Sequence, residues 1–277
     1  MSSTLHISSA WLAMSGIAGI LVIVLPFFLG LVAHRRLGAG WKYFWFGVLV
    51  YLAFQLVTRA PLLLLLSNTV LAHILRTSIA FNWSWITIEA ATAGLFEEVG
   101  RYVGYRLFMG REPKTGAKGV MFGIGHEGLE SAVFGGVRLY TLLIVAFISA
   151  ISLTRLPVAQ RQLLVQQVAV INTQPVWFPL LLIWERLWSF PLQVAFSVLV
   201  LQVFRRRQGY WLLLAILFHV LVDFLSLALP QAFGASVAIT LLNDAILFLF
   251  ALVGLWIIWR LREPGRQTQF EAAPAQL

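Results

Sequence analysis

The sequence predicts an all-α polytopic membrane helix bundle of about seven to eight transmembrane helices, with the N-terminus outside and the C-terminus cytoplasmic. Three observations predict it. Of the 277 residues, 60% are hydrophobic and only 11% charged, where a soluble domain carries about 25% charged. Apolar runs of bilayer length recur along the whole chain. Lysines and arginines collect at one set of run ends, as the positive-inside rule requires. The net charge of +9 therefore belongs to cytoplasmic loops, and no nucleic-acid partner is expected. There is no cysteine, which excludes disulfides and thiolate chemistry.

Taken in order, Met1 to Ser9 lacks the basic stretch of a signal peptide, so the first apolar run, Ala10–Ala33, reads as a retained helix. Trp41–Val57 is the second span, opened by interfacial Trp41, Tyr43 and Trp45. Thr58–Asn82 reads as a hairpin or interfacial helix outside the membrane, with a full span as the alternative. Trp83–Phe108 and Gly119–Ile151 are spans, joined by a polar loop with Pro113 and Gly116. Thr154–Pro175 is a Gln-rich exterior loop with a short helix. Trp177–Phe204, Tyr210–Leu229 (ended by Pro230) and Ala235–Trp259 complete the set. Residues 1–262 form one integral membrane domain, and 263–277 a disordered cytoplasmic tail. On this parse one side receives Arg35, Arg36, Lys42, Arg106, Arg111, Lys114, Lys118, Arg205, Arg206, Arg207, Arg260, Arg262 and Arg266. The other receives Arg59, Arg76, Arg155 and Arg161.

Glu89, Glu97, Glu98, Glu127, Glu130, Glu185, Asp223 and Asp244 nevertheless fall inside spans, with Arg101, Arg138 and Arg186. Each such charge costs about 2.5–3.5 kcal/mol even on the lenient insertion scale. Glu185-Arg186 and Arg138 read as internal pairs that serve assembly. Asp244 reads as a helix-start or interfacial residue. The rest agree in depth. Glu97 lies eleven residues before Phe108, His126 eight after Lys118 and His219 nine after Tyr210. At about 1.5 Å per residue, all three sit roughly 12–17 Å from the inner face. Glu97 and Arg101 share a helix face, as do Glu98 and Tyr102. Glu130 is spaced to orient His126, and Asp223 to orient His219. Glycines at 94, 100, 104, 123, 125 and 128 allow close helix approach.

Two histidines with carboxylates can hold Zn²⁺ and a water, or a Glu and a His can activate water without metal. Both give hydrolysis. His126-Glu127 does not continue into a soluble zincin motif, because position 130 is Glu. A proton- or cation-coupled transporter and a non-catalytic membrane scaffold are the rival readings.

Glu-Glu-x-x-Arg at 97–101, Phe-x-x-x-His at 122–126 and His-x-x-x-Asp at 219–223 resemble the motifs of the CPBP intramembrane proteases, which include the CAAX prenyl proteases. The Gly-x-Gly-His-x-Gly-x-Glu run at 123–130 and Glu-Arg at 185–186 resemble more closely the YhfC family of bacterial intramembrane metalloproteases, related to PrsW. The resemblance spans about Trp41 to Trp259. It implies a bacterial plasma-membrane endopeptidase that cleaves a membrane protein or lipidated peptide. Glu97 and Glu98 would activate water, while His126 and His219 would bind metal or stabilise the oxyanion. Arg101, Glu130, Gln193 and Asp223 would support them, and the site would open toward the cytoplasmic half. Relatives tend to have a histidine where this chain has Gln193, and many prenyl proteases space the arginine one residue further from the Glu pair.

Overall fold

The computed structural model describes residues 7–150 and 157–263. The expected tail and the segment joining the Gln-rich loop to the preceding span lie outside the described residues, as do residues 1–6. Helices dominate: α1 (Ser9–Leu37), α2 (Trp41–Tyr51), α3 (Ala60–Asn68), α4 (Ala72–Thr77), α5 (Ile79–Phe108), α6 (Gly116–Ala150), α7 (Val158–Thr173), α8 (Leu181–Arg206), α9 (Tyr210–Phe233) and α10 (Val237–Arg260). Ser8, Ser78 and Ser236 cap the first turns of α1, α5 and α10 through their hydroxyls, satisfying amides that the helix leaves open. Gly38, at φ 67°, ends α1 in the left-handed region.

Six helical stretches are long and apolar enough to cross a membrane. The 30-residue α5 is just as long, but it carries Glu89, Glu97, Glu98, Arg101 and Arg106. Two boundaries differ from expectation. The second span does not end at Val57. A π-helical segment, Leu52–Arg59, joins α2 to α3, and the helix runs unbroken to Asn68. Pro61 has no N–H to give to the preceding turn, and the wide turn before it absorbs that loss. The exterior hairpin thus shrinks to α4. Pro230 likewise does not stop α9, which continues to Phe233.

Helix α8 is central. Of its apolar stretch 72% is buried, against at most 33% in the other five. It packs on α6, α9 and α10, while α6 also holds α1 and α2, and α5 lies along α9. The outer faces, including Phe28, Leu65, Leu143, Leu213 and Leu249, are exposed, as lipid contact requires. At the basic end, Glu112 in the α5–α6 loop accepts hydrogen bonds from Lys42 Nζ (2.6 Å), Tyr43 Oη (2.5 Å) and Lys118 Nζ (3.1 Å). Lys42, then Tyr43 and Lys118, hold its carboxyl down at about 2, well below the usual carboxylate range.

The α2–α6 contact is the tightest. A Cβ on Gly125 would lie 1.9 Å from the Phe44 carbonyl oxygen, and one on Gly47 would lie 2.0 Å from that of Phe122. Backbone meets backbone there, and neither side can yield by rotating a side chain. Gly136, on the same helix, faces open space. Overpacking a tight contact costs about 1–3 kcal/mol or more. Gly125→Ala should therefore lower the thermal-unfolding midpoint in detergent markedly, while Gly136→Ala leaves it nearly unchanged. Equal midpoints for the two variants would contradict this account of the contact.

Candidate active site in the membrane

The close α2–α6 contact fixes the α6 backbone one residue before His126. At His126 the side chain is fully buried, and Nε2 lies 3.0 Å from Glu97 Oε2 on α5. Tyr51 packs edge-on against its ring at 5.0 Å. Glu98 faces α9, where His219 Nδ1 lies 2.6 Å from its Oε1. The His219 ring stacks on Phe196 of α8, with centroids 4.5 Å apart and planes 6° from parallel. Its Nε2 lies 3.9 Å from Glu97 Oε2 and 3.6 Å from Asp223 Oδ2. The structure thus brings Glu97, Glu98, His126 and His219 together from three helices.

Arg101 lies within the cluster and is fully buried. One guanidinium nitrogen donates to Glu98 Oε1 and another to Gln193 Oε1 of α8. The second also lies 3.7 Å from Glu97 Oε2. Gln193 passes the chain on, its Nε2 donating to Glu130 Oε2 at 3.0 Å. Here the structure departs from the expected pairing of Glu130 with His126. Glu130 instead accepts from Gln193 and from Arg186 Nη1, at 3.1 Å. Arg186 also reaches Glu127 (3.4 Å) and Glu185 (2.6 Å). Ser131 and Ser189 donate to the same Glu127 oxygen at 2.8 and 2.9 Å. Sequence spacing does not reveal this second network, because its partners sit on different helices. The Glu185-Arg186 contact matches the expected internal pair.

A cavity of about 470 Å³ reaches this centre. Its base is walled by Glu97, Glu130, Gln193, His219 and Asp223, and Phe196 forms part of the same wall. Glu98, Arg101 and His126 are not among its lining residues; they lie behind Glu97 and His219. Farther along, Arg59, Glu89, Glu185 and Asn243 line it. Arg59 and Gln55 enter through the π-helical segment, a contribution hidden by reading a span end at Val57. Arg59 is held by the Glu89 carbonyl (2.5 Å) and Thr92 Oγ1 (3.1 Å).

On every helix the cavity residues run from the cluster away from the basic loop ends. The cavity therefore opens away from the basic loop ends, not toward the half that the sequence reading takes as cytoplasmic. Tyr105, Met109, Met121, Phe122, Val198 and Leu201 close that side in the main hydrophobic core. Tyr105 is anchored there by the Ser197 hydroxyl at 2.6 Å.

A bound metal ion would need three or more free protein donors at this centre. Both imidazole Nε2 atoms face Glu97, but the His126 nitrogen is engaged by that carboxylate. Gln193, the expected supporting residue on α8, gives its oxygen to Arg101, and that guanidinium lies beside Glu97 where a dication would be repelled. Among the described residues no group of three or more His, Asp or Glu side chains is arranged to hold a metal ion. The residues in this arrangement do not fit one.

Removing Arg101 would strip Glu98 of its guanidinium partner and leave it only the His219 imidazole. Breaking a buried pair from one side costs about 3–5 kcal/mol. Arg101→Leu should accordingly lose the monodisperse detergent-solubilised species on gel filtration, or unfold at a clearly lower temperature. A variant as stable as wild type would show that the cluster carries no net charge at Glu98.

Residues 21–242 match the model of a family described as YhfC intramembrane metalloprotease. Over 217 residues the chain is 31% identical to the uncharacterized membrane protein YhfC of Bacillus subtilis (strain 168), a match covering 75% of this chain and 80% of that protein. No solved structure matches it.

Proposed function

The chain belongs to the YhfC family, whose model is described as intramembrane metalloprotease, and on that basis we propose that this integral membrane protein hydrolyses a peptide bond of a membrane protein or lipid-associated peptide. The observation that carries the reading is the Glu97–His126 contact at 3.0 Å at the base of a cavity that also exposes His219.

Glu97 is the only member of the Glu97-Glu98 pair on the cavity wall, so it is the general base. It takes a proton from water as the oxygen attacks the scissile carbonyl, and the proton then passes to the leaving amine. The products are a carboxyl and an amino terminus. His219, also on the wall, donates toward the oxyanion. Glu98 fixes the His219 ring through Nδ1, Phe196 fixes its plane, and His126 fixes the Glu97 carboxylate. These three are positioning residues. General base catalysis contributes about 10²–10⁴-fold. Glu97→Gln should therefore lose hydrolysis of a fluorogenic transmembrane peptide by that factor. His126→Ala should keep residual turnover, with kcat lowered and KM nearly unchanged, because Glu97 stays on the cavity wall but loses the hydrogen bond that orients it. Undiminished cleavage by Glu97→Gln would remove the mechanism.

The family description implies a metal, and the donor set found here lacks a third free ligand. Position 193 borders both Glu97 and His219 on the cavity wall, so a histidine there adds the missing nitrogen. Zinc retained per purified chain should be higher in Gln193→His than in wild type. Equal contents would dismiss position 193 as a ligand position.

A further inference from the structure

Asp244 is not the helix-start residue that its sequence position suggests. It lies two turns inside α10 and is only 3% exposed. Its Oδ2 has no hydrogen-bond partner among the described residues. A carboxylate oxygen left so in the membrane costs free energy unless a ligand meets it. Asp244 lines a side chamber of about 110 Å³. Glu185, Ser226 and Asn243 line both this chamber and the main cavity, so the two adjoin.

The chamber has two kinds of wall. Asp244, Glu185 and Asn243 make a polar, acidic part, and Pro230, Ala235 and Ile239 make an apolar part. Glu185 is paired with Arg186, which also serves Glu127 and Glu130, so Asp244 is the chamber carboxylate with no ion pair among the described residues. Ser226 and Thr240 add hydroxyls to the polar part, but a bare Ca²⁺ ion, which takes about 6–8 oxygen ligands, makes no use of the apolar part. A lysine or arginine side chain matches both parts, with an apolar stem and a charged head.

We propose that this chamber is a specificity subsite for a basic side chain of the substrate. The proposal rests on the peptidase reading above. Ser226 at the chamber entrance is two helical turns beyond His219 on α9, a rise of about 10.5 Å. An extended chain covers that distance in about three residues at roughly 3.3 Å each. The subsite thus takes a Lys or Arg about three positions from the scissile bond. Asp244 pairs with the head group, and Glu185 supports it from the shared wall.

The test uses the full chain in lipid nanodiscs and hydrophobic fluorogenic peptides. Each peptide carries one Lys, norleucine or Glu three residues to either side of the bond. The Lys peptide at one of the two positions should show kcat/KM about tenfold above norleucine, with Glu lowest. The Lys-to-norleucine ratio should fall to near one in Asp244→Asn and shrink in Glu185→Gln, the second variant guarding against misfolding of the first. The same peptides are also titrated into Glu97→Gln by fluorescence anisotropy. A Lys preference in binding that depends on Asp244, without cleavage by wild type, would sink the peptidase reading and leave the subsite standing. Equal Lys and norleucine values in both measurements would overturn the subsite. So would Ca²⁺ binding that requires Asp244 and is accompanied by no Lys preference.

Discussion

A guanidinium buried in hydrocarbon must find oxygen partners, and Arg101 sets that condition for the whole centre. It sits on α5 with no exposed surface. Its own helix supplies Glu98 and, at 3.7 Å, Glu97. Gln193 of α8 supplies a further oxygen, while Nε has no hydrogen-bond partner among the described residues. The two carboxylates then have capacity to spare, and they spend it on histidines from α6 and α9. One buried cation thereby binds four helices through neutral and charged donors. Any helix that drifts outward leaves a polar atom facing lipid, at a cost of several kcal/mol. The polar centre and the helix arrangement therefore specify each other.

The glycine contacts supply what the charges cannot. Hydrogen bonds of about 3 Å between helices need backbones closer than leucine-sized side chains allow. Gly47 and Gly125 bring α2 and α6 together, and a Cβ on Gly94 would already lie 2.7 Å from Val220 of α9. Each close approach lies within a few residues of a member of the cluster: Gly125 beside His126, and Gly94 one turn from Glu97 and Glu98. The apolar and polar parts of the bundle are therefore a single packing solution.

Much of the centre was legible because period and depth are one-dimensional. Counting residues from basic loop ends put Glu97, His126 and His219 at one level, and the structure brings them within hydrogen-bond reach of one cluster. The i, i+4 rule was less reliable. It paired Glu97 with Arg101 and His219 with Asp223, at 3.7 and 3.6 Å, but it assigned Glu130 to His126. In a packed bundle an Arg from α8 outbids the helix's own neighbour, because a full charge gains more from a carboxylate than a neutral ring does. The π-helical segment was illegible for a different reason. Val57-Thr58-Arg59 looks like the polar end of a span, and only an extra residue in the turn swings Gln55 and Arg59 to the cavity. Asp244 was misread because distance from a helix end does not tell which face a residue occupies.

The direction of the cavity follows from the same packing. Below the cluster, toward the basic loops, Tyr105 and Phe122 pack at 4.6 Å with their rings tilted by 31°, and Phe204 meets Tyr105 edge-on. Above it, Glu89, Glu185, Asp223 and Asn243 keep the walls polar. Of the cluster, Glu97 and His219 line this cavity, and they meet it from one side alone. Glu98, Arg101 and His126 stay dry behind them, where their hydrogen bonds are strongest. A carboxylate open to the cavity on one face and held by buried hydrogen bonds on the other is oriented without being enclosed. The one-sided closure thus turns a costly cluster of buried charges into a directed site.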